Sequence, residues 1–146
     1  MVGAKEDVTQ NRVINLFQQQ LQYRYLGNWE KKENNSNIEE GILKEYLTKQ
    51  GYSPTLANKA LYELKKTATD QTKSLYDINQ EVYGLLRYGI KVKENVGENN
   101  QTVWLIDWEN RENNDFAIAQ EVAIKGDNNK RPDIVIYVNG IALGVL

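Results

Sequence analysis

The chain has 146 residues, 40% of them hydrophobic, and carries 18 lysines and arginines against 20 aspartates and glutamates, for a net charge of −2. It contains no cysteine and no histidine, which excludes disulfides, thiolate metal sites, His-ligated zinc, Ser-His-Asp and Cys-His catalysis, and imidazole general bases. Any chemistry must run on carboxylates, lysines, tyrosines or a hard cation held by oxygen. The length suits one domain with a real core. No apolar run approaches the roughly 18–20 residues of a membrane span, and the N-terminus lacks the apolar stretch of a secretory signal. Mild acidity gives no global pull toward nucleic acid, although local basic stretches can offset it.

Residues 5–23 read as a first helix, because Val13, Ile14, Phe17 and Leu21 recur at helical spacing. Projected back, the same stripe carries Gln10 and Glu6. Either that end has left the core, or it lines a polar cleft. Residues 22–37 begin as an aromatic patch, Tyr23, Tyr25 and Trp29, expected to pack over the first helix, and end as exposed turn. Ser36 or Asn37 is placed to cap a second helix, which carries Ile42, Leu43, Tyr46 and Leu47 and stops at Gly51. Glu39 and Glu40 would stand in its positive first turn, as dipole-stabilising residues or as active-site acids. Ser53-Pro54 opens a third helix through Leu56, Ala60, Leu61 and Leu64. Residues 66–73 are a loop. A fourth helix, 74–88, has Leu75, Ile78, Val82, Leu85 and Leu86 on its stripe and ends at Gly89.

At residue 90 the hydrophobic period changes from 3.6 to about 2. Strands are expected over 90–94, 102–108 and 116–125, separated by polar loops. Trp104 and Trp108 fall in phase on one strand face and read as core, with stacking on DNA as the alternative. Helices first and strands after indicate an α/β or α+β domain whose mixed or antiparallel sheet carries helices on its faces. No GxGxxG or GxxxxGK[ST] phosphate loop occurs.

The last stretch is R-P-D-I-V-I-Y-V-N-G-I-A-L-G-V-L from Arg131. Pro132-Asp133 opens an apolar run, Asn139-Gly140 supplies a turn, and a second apolar run follows: a β-hairpin. Neither run alternates apolar with polar, so both strands are expected at the centre of a sheet. Lys125, Lys130 and Arg131 flank the preceding turn, as phosphate contacts or as ordinary solvated charge. Pro-Asp before a strand is by itself weak evidence of a site.

Longer motifs are more specific. N-D-F-A-I-A-Q-E-V-A-I-K-G, then K-R-P-D-I-V-I-Y-V-N-G-I-A-L-G-V-L, resembles the N-terminal nuclease domain of type I restriction endonuclease R subunits, of the PD-(D/E)XK superfamily. T-Q-N-R-V-I from Thr9, Y-R-Y-L-G-N-W-E from Tyr23, N-S-N-I-E-E from Asn35 and V-W-L-I-D-W from Val103 extend the resemblance to nearly the whole chain. It implies a restriction-endonuclease-like core, cut off within its last strand, that hydrolyses double-stranded DNA with Mg²⁺. Asp133 carries over as the first catalytic, metal-binding carboxylate. The family adds an acid on the first helix, for which Glu6 is preferred, with Gln10 one turn later; Gln120 or Glu121 are further candidates near the site. In that family the strand after Asn-Gly runs into Glu-x-Lys. Here the Glu would be the residue after Leu146, so these residues alone are expected to be inactive. The resemblance also implies an ATP-driven translocase downstream, modification and specificity subunits as partners, and a bacterial or archaeal cytoplasmic location. A non-catalytic DNA- or protein-docking module on the same fold is the rival.

Hairpin geometry constrains the nuclease reading. A two-residue Asn139-Gly140 loop alone would oppose Asp133 to Leu146 and send the next residue to the other face. A three-residue loop over 138–140, pairing Tyr137 with Ile141, puts Asp133 and that residue on one side. The reading therefore expects the three-residue turn or a nearby bulge.

Overall fold

The computed structural model describes residues 2–29, 32, 36–120 and 134–146, with side chains from residue 8 onward. In chain order the elements are α1 (Val2–Gln19), β1 (Arg24–Asn28), α2 (Glu40–Lys49), α3 (Pro54–Ala68), α4 (Leu75–Tyr88), β2 (Ile90–Val92), β3 (Gln101–Val103), a 3₁₀ turn (Arg111–Asn113), β4 (Phe116–Gln120), β5 (Ile134–Val138) and β6 (Ile141–Val145). The mixed α/β class expected from the change of period is what forms. The chain divides into two compact units: Met1–Glu39 with Asp115–Leu146, and Glu40–Asn114.

The first unit is built on a mixed four-stranded sheet of order β1-β4-β5-β6. β1 runs parallel to β4, and the other neighbours are antiparallel. The strand β1 lies inside the stretch read from sequence as an aromatic patch, so a strand precedes the second helix. Its signal was blurred by Gly27, which sits at φ +115° where the register with β4 slips between Tyr25 and Asn28; a glycine in a strand marks such a bulge. Helix α1 ends four residues before the expected limit. Gln22 at φ 59° cannot continue a right-handed helix, and the Tyr23 N–H closes back on the Phe17 carbonyl at 2.8 Å.

Alternation along β4 and β5 sorts the core. Ile118, Ile134 and Ile136 face Val13, Ile14 and Phe17 of α1, together with Tyr23 and Tyr25. Ala117, Ala119, Val135 and Tyr137 face the other way, against Leu26, Trp29 and Ala142. Tyr23 and Tyr25 therefore pack beside α1 as expected, whereas Trp29 crosses to the opposite face, its ring 5.6 Å from that of Tyr137. Of the two hairpin strands only β5 is central. β6 lies at the sheet edge with Leu143 and Val145 exposed, because an unbroken apolar run cannot by itself distinguish a central strand from an edge one.

The hairpin turn has two residues, with Asn139 at φ 53° and Gly140 at φ 85° and Val138 opposite Ile141, the primed geometry that follows strand twist. The three-residue turn does not form, but the bulge does. Tyr137 opposes Ala142 while Ile136 opposes Gly144, leaving Leu143 as the extra residue. Asn139 is fully buried. Its Oδ1 accepts the Asp115 N–H at 2.7 Å and its own N–H donates to the Asp115 carbonyl at 2.8 Å. The Gly140 carbonyl takes the Glu39 N–H at 2.7 Å, and the Ala142 N–H reaches the Asn37 carbonyl at 2.8 Å.

In the second unit α3 is the hub, touching α2, α4, β2 and β3. Ser53 accepts the Leu56 N–H at 3.2 Å and Pro54 occupies the first turn, where its missing N–H costs nothing. Leu56, Ala57, Ala60, Leu61 and Leu64 form the buried stripe. Gly51 at φ 93° and Gly89 at φ 80° end α2 and α4 as expected. Helix α4 keeps most of its expected stripe, with Leu86 buried and Ile78, Val82 and Leu85 partly buried, but Leu75 is 74% exposed. Ser36 does not cap α2; its hydroxyl bonds to the Ile38 backbone, and the helix begins at Glu40. β2 and β3 pair antiparallel as a separate small sheet, and β3 stops at Val103. Trp104 and Trp108 therefore stand outside any strand, 41% and 49% exposed, and are not core. The alternating pattern was real, but Asn114 closes the segment as a loop. Its amide accepts the Asp107 N–H at 2.8 Å and donates to the Asp107 carbonyl at 2.9 Å.

Two stability measurements test these features. Asn139→Ala should destabilise the fold by about 2–4 kcal/mol in urea titrations, combining left-handed strain with a stranded buried donor, and Asn139→Gly by less, since only the bond is lost. Burial pushes the Tyr137 phenol, near Glu39, up to about 12, and burial with the Asp107 and Tyr52 charges does the same for Tyr46. The unfolded chain releases these protons from pH ~10 upward, so the stability they contribute, complete below that pH, falls as pH rises toward 12. Tyr137→Phe should flatten that alkaline loss. It should leave neutral stability equal or slightly higher, because the Tyr137 hydroxyl has no hydrogen-bond partner among the described residues.

Candidate active site

The apolar stripe of α1 does not end where the sheet does. Gln10 lies one turn before Ile14 and is only 8% exposed, so this part of the helix has not left the core. Opposite it, β4 carries Gln120 in phase with Ile118, on the side that faces α1. The Gln120 Nε2 donates to Gln10 Oε1 at 2.6 Å, and the Tyr25 hydroxyl donates to Gln120 Oε1 at 2.9 Å. Helix α1, β4 and β1 thus each contribute one polar side chain to a short bonded series at the end of the α1–sheet interface. The series is uncharged, and its partners satisfy one another, which makes burial tolerable.

Of the residues expected to form the site, Gln10 is therefore placed, and Gln120 comes with it. Tyr25 was missed as a member; an amide at a core-facing strand position, Gln120, was the one signal that a polar partner was needed. Asp133, Glu121, Lys125, Lys130 and Arg131, and the side chain of Glu6, lie outside the described residues. Glu39 pairs with Lys32 at 3.2 Å. Glu40, in the first turn of α2, pairs with Lys65 at 2.5 Å, a bond that holds its carboxyl below the usual range. Both have local partners and neither joins an acidic cluster. Among the described residues no group of three or more acids gathers to hold a metal ion.

The bonded series makes a specific energetic prediction. Gln120→Ala strands the buried Gln10 amide, and Gln10→Ala strands that of Gln120. A double-mutant cycle should return a coupling of about 1 kcal/mol in unfolding free energy. Strict additivity would mean the bond contributes nothing.

The chain matches, over residues 4–146, the family described as type I restriction enzyme R protein N terminus. It belongs to that family. It is 28% identical over 115 residues to a putative type I restriction enzyme MjaIXP endonuclease subunit from Methanocaldococcus jannaschii, covering 73% of this chain and 11% of that protein. It is 33% identical over 70 residues to the putative MjaVIIIP endonuclease subunit of the same organism, covering 46% and 7%. The chain therefore spans about a tenth of the curated relatives it matches. No solved structure matches. No helix among the described residues is long and apolar enough to cross a membrane.

Proposed function

We propose that the chain is the nuclease portion of a type I restriction R subunit, a PD-(D/E)XK domain that hydrolyses DNA phosphodiesters with Mg²⁺. Family membership supports the reading, and the observation in this chain that carries it is the bulge at Leu143. The bulge shifts the hairpin register by one residue, so that Val135 opposes Val145 and the Leu146 N–H reaches the Ile134 carbonyl at 2.9 Å. Continued by one pair, that register sets position 133 against the residue that would follow Leu146. A carboxylate pair on one face, Asp133 and a following Glu, needs this shift.

Asp133 would hold the metal, and Lys125, Lys130 and Arg131 would contact phosphates without choosing a sequence. Bound there, Mg²⁺ would supply positive charge for the scissile phosphate and acidify a water. Glu6 would add a second acid from α1, with Gln10 fixing the helix against β4 through Gln120. Strand alternation would set position 133 on the face opposite to Ile134, which faces α1, so the register supports pairing Asp133 with the residue after Leu146 and leaves Glu6 to the family resemblance alone. In the whole protein, cleavage would be coupled to ATP-driven translocation and directed by modification and specificity subunits, in the bacterial or archaeal cytoplasm.

The test is nicking of supercoiled plasmid by the full-length subunit. Mg²⁺-dependent cleavage should fall by on the order of 100-fold or more in Asp133→Ala. Lys130→Ala with Arg131→Ala should weaken binding uniformly across sequences and lower the salt slope by about 2. Cation-independent binding with no cleavage would replace the nuclease with a docking module. Full activity in Glu6→Ala would remove the helix acid from the site.

A further inference from the structure

Within the second unit, Tyr46, Gln50, Tyr52, Arg87, Trp104 and Trp108 line a cleft of about 570 Å³, inside the roughly 300–1,000 Å³ range of small-ligand sites. Its two indoles are half-exposed although they stand in a concavity. Trp108 is fixed by its side chain, whose Nε1 donates inward to the Leu86 carbonyl at 2.8 Å, while the backbone N–H of Trp104 donates to the Tyr52 hydroxyl at 2.9 Å. With its single polar atom used, Trp108 has only ring surface to offer, and the Arg87 guanidinium stacks 5.2 Å from it. The rim is equally set. The Asp107 carboxylate accepts the N–H groups of Glu109 and Asn110 and the Asn113 amide at 2.8–3.1 Å, and those bonds hold its carboxyl below the usual range.

These features select a ligand chemistry. A cation would compete with Arg87 for Trp108 and gain little. A bare anion would meet Asp107 and Glu109 at the rim. A wholly apolar ligand would use the ring surfaces and leave the Gln50 and Asn110 amides at the cleft without a role. A flat, uncharged heteroaromatic ring stacks on the exposed indole surface and offers polar edges to the amides. We propose that this cleft binds an unpaired nucleobase of single-stranded DNA. The proposal rests on the nuclease reading for the presence of DNA, and on the cleft alone for the unpaired base.

Anisotropy of a labelled oligothymidylate of roughly 10–16 nucleotides, titrated with this chain, should show binding that exceeds that of the matching duplex. Tryptophan emission of a Trp29→Phe chain should be quenched in the same titration. Trp104→Ala should weaken binding by on the order of 10-fold, and Trp108→Phe, which keeps a ring face, by less. Equal affinity for duplex and single strand, no quenching, or affinity unchanged in both variants would overturn the proposal. So would quenching that follows protein concentration alone, which would make the cleft a contact between copies. Plasmid nicking separates the two readings. Asp133-dependent cleavage without tryptophan-dependent binding sinks only the cleft; tryptophan-dependent binding without cleavage sinks only the nuclease.

Discussion

Asn139 combines three costly features: a polar side chain with no exposed surface, a left-handed backbone, and a place in a two-residue hairpin turn. Its two bonds to Asp115 make the combination stable. Through them the hairpin tip is fastened to the residue that opens β4, and Gly140 and Ala142 fasten the segment 37–39 to the same tip. The Asp115 carboxylate then meets Arg24 at the start of β1, an exposed pair worth little energy by itself. Two separate stretches of the first unit bond to this one turn, and β1 joins them through Asp115. Its conformation also sets the register of β5 against β6, up to the bulge that re-phases the strand ends.

Helix α1 is held differently. Most of its contact with the sheet is apolar, through Val13, Ile14 and Phe17, and such contacts are non-directional. The Gln10–Gln120 bond is directional and fixes which turn of the helix meets which strand residue. A buried amide pair of this kind contributes modest net free energy but penalises every register in which one amide is left alone. If the acid of the proposed site lies one turn earlier on α1, this bond determines where it stands.

The second unit shows the same division between apolar packing and polar placement. α3 supplies the core from leucines and alanines, while Asn114 and Asp107 shape the loop that carries Trp108. Without those side-chain bonds, residues 104–110 have the alternation of a strand and enough apolar surface to extend β3. The loop instead leaves two indoles half-exposed around a polar-edged cleft.

The sequence by itself determined the elements whose signals are local. Ser53-Pro54 and Gly51, the Asn139-Gly140 turn, the change of period at residue 90 and the family resemblance were all legible, because caps, turns and motifs depend on neighbours a few residues away. Gln10 was also visible, as an amide continuing an apolar stripe, although two explanations fitted it. Tertiary structure decided the rest. That Tyr25 and Leu26 form a strand depends on β4, distant in sequence. That β6 is an edge, that Trp29 crosses the sheet and that the tryptophan segment is a loop depend on which partners are present in space. A one-residue bulge is decided there too, since the same apolar residues fit either register until the turn and the neighbouring strands fix one of them.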